Sequence, residues 1–153
     1  MTPDDRLKSL GLALPPVESP IANYVLYKKH GDVVYISGQG PRKPDGSTYS
    51  GIVGVDVTWQ EAYEHAKLVG LQILAIAAQA AGGLSNVEML KLFGMVHAAP
   101  DFAMHPQVIN GCSDLLVDVL GEAGKHSRSA VGMGSLPRNM TVEIEAILLI
   151  RKK

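Results

Sequence analysis

The chain has 153 residues, of which 46% are hydrophobic and 5% aromatic, and its formal net charge is -1. This length suits one domain with a substantial core and is short for two. The composition excludes a disordered or strongly basic protein, and the near-neutral charge with few aromatic side chains makes nucleic acid a poor candidate partner.

Compartment and membrane signals are sparse. Cys112 is the single cysteine, so no intramolecular disulfide can form, and a cytoplasmic location is expected. The first residues, MTPDDRLKSLGLALPP, lack the basic start and long apolar run of a signal peptide. No apolar segment reaches about eighteen residues without a polar break, so we expect no membrane span.

The N-terminal residues predict an arm on one domain that covers residues 1–153. Residues 1–20 combine a short helix, Pro3–Leu12, with a break at Pro15-Pro16. Such a segment is too short and too interrupted to hold a core of its own, and we expect it to lie on the surface of the domain.

A hairpin and a long loop are expected next. The β-prone runs Tyr24–Lys29 and Val33–Ser37 flank His30-Gly31-Asp32, which predicts a hairpin turn. Pro41–Gly54 is rich in Gly, Pro, Ser and Asp and predicts a loop. Ordered loops of that length are uncommon and often functional.

A long amphipathic helix follows the loop. Asp56 or Thr58 can cap its N-terminus, and Gly82-Gly83 ends it after Ala81. Its core-facing stripe repeats at spacings of four and three residues. The members of this stripe are Trp59, Tyr63, Ala66, Gly70, Ile73, Ala77 and Ala80.

The rest of the chain predicts a strand over Val87–Ala98, a helix over Pro106–Leu120 and two final strands. The order ββαβαββ contains two strand-helix-strand crossovers. We therefore expect an α+β fold, a mixed sheet with both helices packed on one face.

The segment from Arg128 to Ala146 holds the most telling chemistry. Arg128 stands at the head of one strand, while Glu143 and Glu145 alternate with apolar residues and share one face of the last strand. An antiparallel return through Pro137 would bring the two strands together. An arginine fork for a carboxylate and a glutamate that handles protons make a small reaction centre. The alternatives are that Arg128 is a solvent-exposed charge at a strand end and that the two glutamates only form the solvent-exposed face of their strand.

The chain resembles the RidA (YjgF-type) family of reactive-intermediate deaminases over roughly residues 20 to 150. Four separated motifs occur in the family's order, which is more specific than any one of them. They are Tyr24 at the start of the first strand, Tyr35–Gln39 (YISGQ), Asp101-Phe102 followed by Asn110, and Arg128–Val131 (RSAV) with Leu136-Pro137 and Val142–Ala146 (VEIEA). The resemblance implies the chorismate-mutase-like fold and a homotrimer with pockets between subunits.

The resemblance also implies an activity, the hydrolysis of 2-imino or 2-enamino acids to 2-keto acids and ammonia without a cofactor. Arg128 would hold the substrate carboxylate through two parallel hydrogen bonds. Glu143 would position or activate the attacking water, and Glu145 is left with a structural part. Two alternatives stay open: a trimer that binds a small metabolite without turnover, and a ribonuclease or translation inhibitor.

The same resemblance implies five substrate-binding positions. Tyr24 would close over the substrate, and Ser37, Gly38 and the backbone at Ala130 would line the pocket. A glycine lets the backbone approach a ligand closely. Asn110 would face the pocket. The Asn110-Gly111 pair is mildly unfavourable within a helix, which by itself favours a role there.

This chain departs from many relatives at two strand positions. Ala130 replaces a cysteine, which excludes a thiol-based mechanism there, and Gly132 replaces an acidic residue. Imine hydrolysis needs no thiol. The N-terminal arm, the loop at Pro41–Gly54 and the additional residues between Phe102 and Asn110 exceed the family's compact pattern, so substrate preference stays open.

The histidines carry weaker signals. His97 and His105 bracket Asp101, but Pro100 and Pro106 break the regular geometry that would align them as metal ligands, and we expect no metal site. His126, two residues before Arg128, either contacts the mouth of the pocket or is a surface neighbour, which is the commoner case for such residues.

Overall fold

The structure, a computed structural model, describes residues 1–152 and has the expected element order behind a short N-terminal helix. The elements are α1 (Pro3–Ser9), β1 (Tyr27–His30), β2 (Val33–Gln39), α2 (Trp59–Ala81), β3 (Val87–His97), α3 (His105–Leu120), β4 (Ser127–Met133) and β5 (Val142–Ile150). Single 3-10 turns follow α2, α3 and β4. No helix among residues 1–152 is long and apolar enough to cross a membrane.

The five strands form one mixed sheet in the order β1-β2-β5-β3-β4. Strands β3 and β4 are parallel, and the other neighbours are antiparallel. The expected antiparallel return from β4 to β5 is wrong, because β3 lies between them. A strand-helix-strand unit returns in parallel, so β4 takes the outer edge beside β3, and β5 pairs with the other side of β3.

Side chains of the central strands alternate between a covered and an uncovered face of the sheet. In β5 the residues Val142, Ile144 and Leu148 are fully buried beneath the helices, on what we call the helix face. Glu143 and Glu145 alternate with them and therefore point to the opposite side, the open face. Apolar side chains also occupy the open face. They include Tyr35, Phe93, Met95, Val131 and Ile147.

Helix α2 begins and ends as the sequence predicts. Of the two possible caps, Thr58 is the one used, and its hydroxyl accepts a hydrogen bond from the Glu61 amide at 3.1 Å. Asp56 instead accepts from the Ile52 amide within the preceding loop at 2.9 Å. Gly82 ends the helix in the left-handed conformation, with a φ of 75°.

Close packing of α2 on α3 requires two glycines. A Cβ at Gly111 would run into the Tyr63 carbonyl oxygen, and one at Gly70 would lie 3.0 Å from a Leu115 methyl carbon. Small residues therefore set the distance between the two helices. The helical glycine at position 111 has this packing reason, independent of any role for Asn110.

The first strand is shorter than expected at its start. It begins at Tyr27, which pairs with Ile36, and the β2–β5 register then shifts between Ile36 and Gln39. The β1–β2 ladder ends at the Tyr27–Ile36 pair, and Tyr24 lies in a bend before β1 and is 47% exposed. Tyr24 as the first residue of a strand is therefore a wrong prediction.

The loop at Pro41–Gly54 is tied to α2 by a buried glutamine. The Gln72 side chain donates to the Gly40 carbonyl at 2.8 Å and accepts from the Arg42 amide at 3.2 Å. Gln72 is 4% exposed, so its amide satisfies backbone groups that would otherwise be buried without partners. The loop is thus held on the fold at its N-terminal end.

The N-terminal arm packs on α3. Thr2 and Asp5 form a capping box at the start of α1, and Leu7 is buried in the core. The Arg6 guanidinium donates to the Val119 carbonyl at 3.3 Å. The helix ends at Ser9 rather than Leu12, because Gly11 turns the chain with a φ of 70°.

Candidate functional site

Arg128 lies on the helix face of β4 and points to α3. Its Nη1 donates to the Ser113 hydroxyl at 3.0 Å, and its Nη2 donates to the Pro106 carbonyl at 3.3 Å. None of the ion pairs among residues 1–152 involves Arg128. The guanidinium is therefore held by neutral acceptors and keeps an uncompensated positive charge, which suits it to bind an anion.

Two other candidate residues share the surroundings of Arg128. Asn110 lies between Pro106 and Ser113 at helical spacings of four and three, so all three occupy one side of α3, the side that Arg128 contacts. Ala130 follows two residues after Arg128 and therefore lies on the same face of β4. We call Arg128, Asn110, Ser113 and Ala130 the arginine cluster.

Glu143 and Gly38 lie together on the open face. A Cβ at Gly38 would stand 3.1 Å from Cδ and 3.2 Å from Oε2 of Glu143, so only a glycine leaves the carboxylate its present place. Partial burial raises the pKa of Glu143, and the negative charge of Glu145 raises it further. A carboxyl whose pKa moves toward neutrality is better suited to exchange protons with a water. We call Glu143 and Gly38 the glutamate cluster.

Ser37 precedes Gly38 of the glutamate cluster, and its side chain holds the segment that contains Tyr24. The Ser37 hydroxyl donates to the Val25 carbonyl at 2.6 Å and so holds the segment before β1 against β2. Tyr24 belongs to that segment and is exposed. This hydrogen bond, made by the residue next to Gly38, therefore fixes the position of the Tyr24 segment.

The two clusters lie on opposite faces of the sheet. Arg128 pairs across the strands with the fully buried Leu92, whereas Glu143 pairs with Met95, which points the other way. Strand β3 also separates β4 from β5. The reaction centre expected from a direct approach of the two final strands within one chain is therefore wrong.

Neither of two cavities in the structure includes Arg128 or Glu143. One, of about 110 Å³, lies on the open face between Tyr35, Phe93 and Glu145. The other, of about 430 Å³, lies beside α2 between Tyr49 and His65. Both Arg128 and Glu143 are partly exposed in a single chain.

Sequence reasoning missed the contacts of Ser113 and His126. The Ser113 hydroxyl lies 2.9 Å from Nε2 of His126, and the His126 Nδ1 lies 2.6 Å from the Gly124 carbonyl. His126 is partly buried and is joined to Arg128 through Ser113, a contact that neither expected position of His126 includes. Ser113 lies in α3, whereas His126 and Arg128 lie after it around the start of β4, so no sequence spacing indicates their contact with Ser113.

The space beside Gly132 is taken by a histidine. A Cβ at Gly132 would lie 2.6 Å from Nε2 of His105, whose ring packs edge-on against Phe102 at 5.1 Å between centroids. An acidic side chain at position 132 would have to displace that imidazole. The departure from the family pattern at Gly132 is therefore accommodated by His105.

The raised pKa of Glu143 predicts a pH-dependent gain in stability for Glu143→Gln. The protonated form of Glu143 stabilises the fold at acidic pH, and this contribution is lost as pH rises through the raised pKa. The variant should therefore melt at a higher temperature than the parent at a pH of about 8, with the difference shrinking at about 4. Thermal unfolding at both pH values measures this, with Glu64→Gln on the exposed side of α2 as the control. A variant less stable than the parent at both pH values would contradict it.

Comparisons with known proteins identify the family. A family model described as "YjgF/chorismate mutase-like, putative endoribonuclease" matches residues 4–147. The chain is similar to Protein TCP17 of Trypanosoma cruzi, with 36% identity over 144 residues, which cover 93% of this chain and 90% of that one.

Two solved structures are similar over nearly the whole chain. The protein Atu1372 from Agrobacterium tumefaciens, described as of unknown function, is 42% identical with a TM-score of 0.88, covering 99% of this chain and 93% of that one. A structure from Shewanella oneidensis MR-1, named a putative endoribonuclease, is 34% identical with a TM-score of 0.93, covering 98% and 100%. The chain belongs to the YjgF/RidA family, and its five-stranded mixed sheet has the family's chorismate-mutase-like fold.

Proposed function

We propose that the protein hydrolyses reactive 2-imino and 2-enamino acids to 2-keto acids and ammonia. The observation that carries the proposal is the pair of clusters: a guanidinium without a counterion, and a carboxyl of raised pKa against a glycine. The first suits the carboxylate of the substrate, and the second suits the water that reacts with it. Membership of the family supports the same assignment.

In the proposed reaction, Arg128 binds the substrate carboxylate and sets the orientation of the adjacent C=N carbon. Glu143 takes a proton from a water molecule as the water oxygen bonds to that carbon, and the C=N π electrons move to nitrogen. Glu143 then gives its proton to the nitrogen, which forms the carbinolamine. A second proton passes from the carbinolamine hydroxyl to the nitrogen through Glu143, the C–N bond breaks, and ammonia leaves as C=O forms. The overall balance is imino acid plus water to keto acid plus ammonia, so no redox partner or cofactor is required.

Ligand-binding roles complete the proposal. Asn110 and the Ala130 backbone would contact the substrate beside Arg128, because they belong to the same cluster. Gly38 and Ser37 would line the side near Glu143, and Tyr24 would close over the ligand from the exposed segment before β1. Exposure of Tyr24 in one chain leaves its side chain free for this contact.

The proposal requires two copies of the chain for each pocket. Arg128 and Glu143 lie on opposite faces of one sheet, so one substrate reaches both groups only if each comes from a different subunit. The open face carries apolar side chains such as Tyr35, which is 50% exposed, and Phe93 and Ile147 beside it. We propose that these faces pack together in a homotrimer with three pockets between subunits.

The proposed assembly predicts the mass of the protein in solution. Light scattering at micromolar concentration should give about three times the 16.3 kDa of one chain. Replacing the exposed Tyr35 by Lys places charge in the apolar interface and should lower the mass, whereas Lys8→Glu on the exposed side of α1, away from the open face, serves as a charge-change control. A monomer at this concentration would contradict the assembly and the shared pockets.

We propose a cytoplasmic location for the protein, and its single cysteine takes no part in the proposed reaction. Cys112 is fully buried in α3, and burial raises the pKa of its thiol to about 12 against a smaller lowering by Arg128. Such a thiol is a packing group rather than a nucleophile or disulfide partner. The proposed chemistry accordingly assigns it no step.

The activity is tested by keto acid and ammonia formation from imino acids generated in the assay by an amino-acid oxidase. The expected result is saturable acceleration over the uncatalysed reaction, with a preference among side chains. Binding of keto acids without acceleration would indicate a metabolite-binding protein. Salt-dependent binding and cleavage of RNA, with no acceleration of imine hydrolysis, would favour the ribonuclease alternative.

A further inference from the structure

A chain of hydrogen bonds runs behind Arg128. The Gly124 carbonyl lies 2.6 Å from Nδ1 of His126, Nε2 of His126 lies 2.9 Å from the Ser113 hydroxyl, and that hydroxyl accepts from Nη1 of Arg128 at 3.0 Å. Gly124 belongs to the turn after α3, and Arg128 to the strand that follows. The chain therefore joins the helix, the turn and the strand at the position of the guanidinium.

The chemistry of the groups sets the direction of each bond for a neutral His126 ring. A carbonyl only accepts, so the neutral His126 ring carries its proton on Nδ1 and donates it to Gly124. Its Nε2 is then an acceptor and receives the Ser113 hydroxyl proton. The lone pairs of Ser113 are left for Arg128, which can only donate. Each donor has an acceptor, with no conflict at any position.

We infer that Ser113 and His126 are positioning residues that hold the Arg128 guanidinium for the substrate carboxylate, an inference that rests on the proposed function. An arginine side chain has many rotamers, and a bidentate clamp works only if few of them are populated. Neutral partners restrict the side chain without neutralising its charge. An aspartate in place of Ser113 would also hold Arg128 but would compete with the ligand.

A purely structural alternative is that Ser113 and His126 satisfy each other where α3 packs on β4. The two explanations differ in what the substitutions change. If only packing is lost, the stability of the protein and the fraction of active molecules fall, and the binding of every ligand is affected alike. Lost positioning weakens binding of a carboxylate in particular, and it raises KM with little change in kcat because the clamp acts on bound substrate and transition state alike.

The test uses Ser113→Ala and His126→Phe in the full-length protein. The probes are 2-ketobutanoate and its neutral methyl ester. We expect each variant to bind the keto acid about two- to tenfold more weakly, with ester binding unchanged. Combining both changes should add little, because each breaks the same chain. Ser113→Thr and His126→Gln keep the hydroxyl and the acceptor and should restore binding, and Ser85→Ala and His30→Phe are exposed controls.

A second readout is independent of any ligand. Long-range 1H–15N NMR of the parent should show neutral His126 protonated at Nδ1, and Ser113→Ala should shift its Nε2 resonance. Dominance of the Nε2-protonated form would overturn the inference. So would keto acid binding that falls in Arg128→Lys but is unchanged in Ser113→Ala and His126→Phe. A parent that neither binds 2-ketobutanoate nor hydrolyses imines would instead overturn the proposed function.

Discussion

Glu143→Gln should lower the turnover of a 2-imino acid by about 10²–10⁴-fold, the usual contribution of a general base. The amide keeps the shape of the side chain beside Gly38 but cannot take the proton from water. Binding of a keto acid should change far less than turnover, since Arg128 supplies the contact to the carboxylate. The measurement is steady-state kinetics on one imino acid, with keto acid affinity determined separately.

Glu145→Gln is the matched control for this substitution. Glu145 lies two residues along the same strand, on the same face, and differs mainly in its greater exposure. Its replacement should leave turnover close to that of the parent, because the proposal assigns it a structural part. Equal losses from both substitutions would mean that the carboxylates act as a coupled pair. A loss at Glu145 alone would mean that the attacking water has been assigned to the wrong glutamate.

Arg128→Lys should reduce kcat/KM by about ten- to a hundred-and-fifty-fold, which corresponds to about 1.5–3 kcal/mol for one charge-assisted contact. Lysine keeps the positive charge but loses the planar fork that binds both carboxylate oxygens. It also cannot reach Ser113 and Pro106 together in the geometry of the guanidinium. Activity equal to that of the parent would exclude a carboxylate clamp at this position.

The fold of this variant has to be checked in parallel. Arg128 contributes two hydrogen bonds to α3, so some loss of stability is expected with the loss of activity. Comparing turnover with the neutral ester and the free acid of one substrate separates the two effects. A folding defect lowers both rates, whereas loss of the clamp lowers only the rate with the acid.

Local patterns in the sequence were sufficient for the elements and their faces. The alternation in β5 correctly predicts that Glu143 and Glu145 share a face opposite Val142 and Ile144. The apolar stripe, the Thr58 cap and the Gly82 end likewise predict α2. These features depend on neighbours within one element, and propensity, periodicity and capping describe such neighbours directly.

Relations between elements were harder to predict. The short connection between the last two strands favoured a hairpin, but the parallel return through α3 puts β4 outside β3. The start of β1 at Tyr27, which leaves Tyr24 outside the strand, depends on where pairing with β2 ends. The contact of His126 with Ser113 likewise depends on how a turn meets a helix. None of these follows from spacing along the chain.

The central claim is that each active site combines Arg128 of one subunit with Glu143 of another, and mixed assemblies test it. Two nearly inactive variants, Arg128→Met and Glu143→Gln, are co-expressed in equal amounts and purified together without selecting for mixed trimers. A subunit with Glu143→Gln still supplies Arg128, and its neighbour with Arg128→Met still supplies Glu143.

In randomly assembled equal mixtures, about a quarter of the pockets receive both intact residues, so activity should recover to about a quarter of the parent value. Mixing the parent with the doubly substituted chain is the matched control, and it should also leave about a quarter of the pockets intact. If a single chain held the whole site, the first mixture would stay inactive and the control would retain about half. That result would contradict the account.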